Sequence, residues 1–283
     1  MDTYAARLSK LPVNPSIAAK VLKMADSQDV SFGALEEVIM ADPGLTARIL
    51  RIANSALYAR QTKVTRLQTA FTLLGTKTIR NLVILATGSS LFRRDLASSF
   101  YAYFWTHALA TAFLARDLAA RCGFGQHAEE CFVAGLLHDV GQVAFLLESP
   151  KAYEALVLEA RLKGRCVSEL ETEAYGTDHK RVGAEVLASW SFPAVYVDAA
   201  LEHGSPNAAS ASKQVVAAVT AADLVGANWA REPDPPRPLA GLAPFLGYLR
   251  LGADDLDAWQ AETRSRLEKD PFYLGCRELI TEG

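Results

Sequence analysis

Only five histidines occur in the chain, and four of them stand in company that could hold a metal ion or move a proton. In WTHALATAFLARDLAAR, Trp105, Leu109, Ala112 and Phe113 share one apolar helical face, and His107 falls on the other with Phe104, Thr111, Leu114 and Leu118. A helix apolar on both sides belongs inside, so its imidazole must either hydrogen-bond or ligate. His138 and Asp139 end the apolar run AGLLHDVG just before Gly141, a helix-stop residue, and Ala134 and Gly135 one turn back would let another helix come close. Asp223 has Val219, Thr220, Gly226 and Ala227 as helical neighbours. An ionised carboxylate in such surroundings needs a cation, an arginine or helix-terminal donors. His179 opens a helix after Gly176, Thr177 and Asp178, and His203 closes PAVYVDAALEH. Imidazoles and carboxylates delivered from several helices suit a divalent ion such as iron, manganese, magnesium or zinc.

Plainer roles stand beside these. His107 can be a hydrogen-bonded core histidine, and His138 can cap its helix, where a positive end group is favourable and Asp139 is not. His179 can bond helix N-terminal groups, and His203 can cap its own helix. His127, in a connection, reads as a solvated loop residue, and Asn54 with Ser55 as the local capping of a turn. The aromatic run Phe100, Tyr101, Tyr103, Phe104 and Trp105 reads as packing at a lobe junction rather than as a base-stacking platform. Arg93, Arg94, Lys77 and Arg80 are too sparse to form a nucleic-acid footprint.

The elements that must position these groups are helices, because apolar residues recur at helical spacing and alternating β-branched runs are nearly absent. The pattern predicts a helix opened by Pro15 and Ser16 and running to about Ala25, one from a Ser31 cap to near Ala41, and one onward from Asp42 and Pro43. It predicts further ones at about Arg66 to Leu74, Thr76 to Ser90, Ser98 to Arg121, Ala128 to Asp139, Lys151 to Lys163, His179 to Trp190, Pro193 to His203 and Lys213 to Ala230. The fold class is all-α: an N-terminal lobe of short helices over 1–95, a bundle of longer ones over 96–230, then a proline-rich linker and helical tail over 231–283.

Composition narrows the function classes. Half of the 283 residues are hydrophobic and 22% are charged, which excludes disorder and coiled-coil architectures. With 29 basic against 32 acidic residues there is no global positive field, so neither direct nucleic-acid binding nor an anionic membrane surface is expected. Cys122, Cys131, Cys166 and Cys276 form no C-x-x-C pair, which fits a reducing cytoplasm. The start MDTYAARLSKLP lacks an apolar export segment, and Asp223 interrupts the longest apolar candidate for a membrane span.

The chain resembles an HDOD domain, a bacterial relative of the HD and HD-GYP phosphohydrolases. The resemblance rests on Leu11 to Tyr58, which includes Asp42-Pro43-Gly44-Leu45 and Asn54-Ser55, and on GLLHDVG, TDHKRVGAEVLASWSFP and LEHG. It extends over roughly residues 8 to 230 and implies an HD-like helical bundle. The HD pattern of one His, a His-Asp pair and a distal Asp falls on His107, His138, Asp139 and Asp223, and the extra histidines of two-metal relatives fall on His179 and His203. Three features depart from it: Gln142 replaces the lysine that often follows His-Asp-x-Gly, His203-Gly204 replaces a doubled histidine, and no GYP signature occurs. The resemblance thus implies a cytoplasmic signalling module that acts through a protein partner, ahead of the alternative, a metal-dependent phosphohydrolase of a nucleotide or phosphate ester. The oligomeric state and the role of the tail have no signature in the sequence.

Overall fold

A computed structural model of the chain describes residues 16–25, 32–41, 43–54, 64–89, 98–204, 211–230 and 242–282. Pro15, Ser31, Asp42, Ser55, the stretch 92–95 and the proline run 231–238 lie outside the described residues. Every regular element among those described is helical: α1 (Ser16–Ala25), α2 (Phe32–Met40), α3 (Pro43–Ala53), α4 (Leu67–Leu74), α5 (Thr76–Ser89), α6 (Ser98–Arg121), α7 (Ala128–Leu137), α8 (Gln142–Glu148), α9 (Pro150–Lys163), α10 (Val167–Tyr175), α11 (His179–Ser189), α12 (Ala194–Glu202), α13 (Lys213–Ala230), α14 (Ala243–Leu249), α15 (Ala253–Leu267) and α16 (Pro271–Glu282). A 3-10 turn, Gly125–His127, precedes α7.

The described residues divide into two compact units, one within 98–261, the other within 16–89 with 262–282. In the smaller unit, α1 packs on α5, and α16 packs on α3 and α5. The segment after the proline run is therefore shared out, because α16 buries Phe272, Tyr273, Cys276 and Ile280 with the N-terminal helices. Asn54 does more than cap a local turn. Its side-chain amide donates to Leu50 O (2.8 Å) and Val64 O (2.7 Å), and its Oδ1 accepts from Val64 N at 2.7 Å, which ties α3 to the chain ten residues on. Arg80 is buried in this unit and offers no basic surface.

In the larger unit, α6 packs along α7 and α13. Alanines at 108, 110, 112, 115 and 119, all buried, make α6 slender enough for both. Gly135 permits the tightest crossing: a Cβ there would sit 2.8 Å from Ala112 Cα, inside van der Waals contact. Trp259 of α15 donates from Nε1 to Asp117 of α6 at 2.7 Å, so the second half of the tail begins on the bundle. All four cysteines are free thiols.

The helix expected over Ala128 to Asp139 stops at Leu137; residues 138–141 turn, and a further helix, α8, follows. That broken stretch, Gly125–Glu148, and not the one around Asp223, is long and apolar enough to cross a membrane among the described residues. It is a core segment instead, with 89% of its apolar window buried inside the protein.

Candidate metal centre

Six side chains converge in the larger unit. His107 comes from the middle of α6, His138 and Asp139 from the turn after α7, His179 from the first position of α11, His203 from the end of α12 and Asp223 from the middle of α13. The local sequence explains each placement. Asp178 caps α11 by accepting a hydrogen bond from Arg181 N at 2.9 Å, which starts the helix at His179. Gly141 then lets the two segments meet: a Cβ there would lie 2.0 Å from His179 O and 2.6 Å from Gly183 N. Gly226 on α13 lets that helix come close to α6 one turn from His107, since a Cβ would stand 3.0 Å from Thr111 Oγ1.

Hydrogen bonds at Nδ1 fix which ring nitrogen faces the centre. A carbonyl or carboxylate can only accept, so the Nδ1 of His138, 2.8 Å from Gly135 O, must carry the proton. The same holds for His203 against Ala200 O at 2.9 Å and for His179 against Glu171 Oε2 at 2.6 Å. Each of these rings therefore turns Nε2 inward. His138 Nε2 lies 3.3 Å from Asp139 Oδ2, and His107 Nε2 lies 3.6 Å from the same oxygen and 3.2 Å from Asp223 Oδ1. On the other side, Asp139 Oδ1 lies 3.2 Å from His179 Nε2 and 3.5 Å from His203 Nε2. Asp139 thus joins two half-sites, one with His107, His138 and Asp223, the other with His179 and His203.

The pairs His107/His138 and His179/His203 each bring two Nε2 atoms to 3.3 Å. Between His179 and His203, with both Nδ1 protons committed, two lone pairs face each other unless a cation or an extra proton intervenes. Two ligand atoms on one ion at about 2.1 Å stand about 3.0–3.4 Å apart, so the spacing is that of a metal's ligands. The donor atoms of His107, His138 and Asp139, and those of Asp139, His179 and His203, form two groups each lying within 4.8 Å. The residues present fit a divalent ion in each half-site. His107 is the least fixed of them, since its buried Nδ1 has no hydrogen-bond partner among the described residues.

Electrostatics agree with the geometry. Burial opposes charge on His138, yet Asp139 beside it outweighs burial and holds its pKa up at about 10. At His179 burial is likewise overridden, by Glu171 and Asp139, again to about 10. Burial pushes His203 down to about 4, helped by the charges of His138 and Lys180. Burial would raise the carboxyls of Asp139 and Asp223, but the surrounding imidazoles hold both well below the usual range. Without an ion, protons on the rings balance the two carboxylates.

Several contributors were not singled out in the sequence. Glu171, with no exposed surface, accepts from His179 N at 2.8 Å, from its Nδ1, and from Tyr153 OH at 2.5 Å. A fully buried glutamate is rare unless paired, but nothing in ELETEAY marks its burial before the fold is known. The centre also forms one wall of an open cavity of about 230 Å³, lined further by Tyr103, Gln142, Ser168 and Lys180. The aromatic run serves the centre too: Tyr103 stacks on His107, and Phe100 meets Tyr153 edge-on. His127, part-exposed in the 3-10 turn, pairs through Nδ1 with Glu130 Oε2 at 2.5 Å.

An all-helical bundle whose facing helices pool four histidines and two aspartates defines an HD-related module. The sequence profile of the HDOD domain matches residues 11–206, and the chain belongs to the HDOD domain family. Its fold is similar to a candidate phosphohydrolase from Shewanella amazonensis SB2B, at 25% identity and a TM-score of 0.71, covering 98% of this chain and 97% of that one. It is similar as well to an HDOD domain protein of unknown function from Geobacter sulfurreducens, at 24% identity and a TM-score of 0.74, with coverage of 98% and 97%. An uncharacterized protein of Treponema pallidum is 22% identical over 224 residues, 78% of this chain; the match spans 43% of that relative's length.

Proposed function

We propose that the chain is a cytoplasmic regulatory module of bacterial signalling that acts through a protein partner, and that its centre holds divalent ions in two half-sites joined by Asp139. The observation that carries the metal reading is the 3.3 Å approach of His179 Nε2 to His203 Nε2 with both Nδ1 protons already donated. Imidazole-rich ligation favours manganese, iron or zinc over magnesium, which prefers oxygen donors. Elemental analysis of protein purified without chelator, followed by calorimetric titration with manganese, tests it. Stoichiometric metal in the native protein and none in Asp139→Asn is the expected result; equal content in both overturns it.

A second reading, a metal-dependent phosphohydrolase, is favoured by one feature. The centre opens on a cavity, where the Asp223 side chain is 28% exposed, so a ligand can reach it. Bound ions would supply a water of lowered pKa and stabilise charge on a phosphoryl oxygen. The chain's own part is to hold them: Asp139 between the halves, His138 and His203 fixed by backbone carbonyls, His179 fixed by Glu171. Hydrolysis of phosphate esters with manganese, absent in Asp139→Ala, supports this reading, and equal rates in the two proteins remove it.

A further inference from the structure

The cavity beside the centre carries polar groups that neither the fold nor the ion cluster uses. Gln142, 9% exposed, lines it and offers a side-chain amide. Ser168 lines it too, and its buried hydroxyl has no partner. Lys180 supplies the cavity wall's one lysine or arginine and forms no ion pair or hydrogen bond among the described residues. Its Nζ reaches over Gly204, 3.1 Å from where a Cβ would stand, so the glycine leaves the ammonium room. Tyr103, Phe104, Val157 and Val167 make the remaining wall apolar.

We infer that Lys180, with Gln142 and Ser168, forms an anion-holding wall beside the centre, and that its ligand is a small phosphomonoester. The reasoning is electrostatic first. Asp139 and Asp223 make the centre acidic, and residue 142, which follows the His-Asp-x-Gly run, brings an uncharged amide. A phosphate drawn to the centre would face the one ammonium of the cavity wall, Lys180, which α11 brings there. The buried Ser168 hydroxyl, left without a partner, is favourable only if a ligand bonds to it. Size points the same way: about 230 Å³, open on one side, is small against the usual ~300–1,000 Å³ of small-molecule sites and suits a small ligand.

The inference rests on the reading of the centre as a metal site, and two measurements separate the failures. Manganese affinity of native protein, Lys180→Ala and Lys180→Ala/Gln142→Lys is measured first by calorimetry. Inorganic phosphate and phenyl phosphate are then titrated into the manganese-loaded and metal-free forms of each. We expect all three to load with manganese, Lys180→Ala no more weakly than the native protein because a positive charge near His203 is removed, phosphate binding to the loaded forms weakened at least about tenfold by Lys180→Ala, and recovery when a charge is placed at position 142. Phosphate binding that is undetectable in the native protein, or unchanged in Lys180→Ala, overturns the inference. If native protein takes up no manganese, the metal reading falls, and the metal-free titrations decide the Lys180 wall by the same comparison.

Discussion

At the residue scale, Glu171 is the side chain on which His179 depends. Replacing it by glutamine keeps the volume and lets the amide oxygen take both His179 donors, but it removes the charge and leaves the amide nitrogen facing Tyr153 OH, which must turn from donor to acceptor. We expect Glu171→Gln to lose about 1–3 kcal/mol in urea unfolding. Manganese affinity should fall about 10–100-fold, the usual effect of removing a ligand's outer partner. Tyr153→Phe, which removes one donor and leaves the carboxylate on His179, should cost about 1 kcal/mol and leave metal affinity within a fewfold. Unchanged affinity in Glu171→Gln would show that His179 is held by other means. A second prediction follows from the raised imidazoles. The pKa values of His138 and His179 lie near 10 in the fold against an ordinary 6.5. The stability they contribute to metal-free protein is therefore full below pH 6.5 and is lost as pH rises through about 10. An ion must displace those same Nε2 protons, so affinity should rise over that window, by up to about tenfold per pH unit for each proton displaced. Melting midpoints measured with and without manganese should diverge steadily from neutral to alkaline pH, and parallel curves would sink the idea. The ligand residues themselves were legible because histidine and aspartate are conspicuous in apolar helices. Glu171 and Lys180 were not, because in ELETEAY and HKRVG they look like ordinary solvated charges until α10 and α11 are folded against the centre.

At the element scale, glycines decide how near the helices come. Gly141 keeps an ordinary helical φ of −65°, so its requirement is space rather than backbone freedom. Alanine there would press on His179 O and Gly183 N, both main-chain atoms at the start of α11, and neither can yield without shifting the helix. We predict that Gly141→Ala costs about 1–3 kcal/mol, as overpacking does, and lowers manganese affinity by moving His179 from Asp139. Gly164→Ala is the control for destabilisation alone, because Gly164 caps α9 with positive φ and a Cβ there touches nothing within 4 Å. Metal loss in both variants to the same degree would mean that general loosening, not the α8 to α11 contact, is responsible. The sequence showed a stop at Gly141 but not the turn that begins at His138, and the reason is physical. From Cys131 to Leu146 every residue is buried, so no polar stripe marks where α7 ends and α8 begins. Helix α10 was missed for a different reason. It is nine residues long between Gly164 and Gly176, both at positive φ, and its charges make it resemble a loop. The longer α6 and α13, by contrast, were legible to their ends.

At the scale of the whole molecule, the centre belongs to one of two compact units, and a melting experiment can address that unit alone. All four tryptophans, Trp105, Trp190, Trp229 and Trp259, lie within 98–261, so indole fluorescence reports the unit that holds the ligands. Free energy from a bound ion acts through mass action, contributing about 2.7 kcal/mol when the ion stands at a hundred times its dissociation constant. For a domain of this size that is roughly 5–10 °C in the midpoint, at ~2–4 °C per kcal/mol. The bridging position of Asp139 grades the expected response among variants. Asp223 reaches the half-site of His107 and His138 but has no contact with His179 or His203, whereas Asp139 touches both halves. A chelator should therefore lower the fluorescence midpoint most in the native protein, by a smaller amount in Asp223→Asn, and not at all in Asp139→Asn. In metal-free protein the two carboxylates are not left bare against each other, because His107 lies within 3.6 Å of both. The chelated native protein should accordingly remain folded, with a cooperative but earlier transition. A shift of equal size in all three proteins would locate the chelator's effect outside the centre. No shift in any of them would mean that protons alone balance Asp139, and the metal reading would go with it.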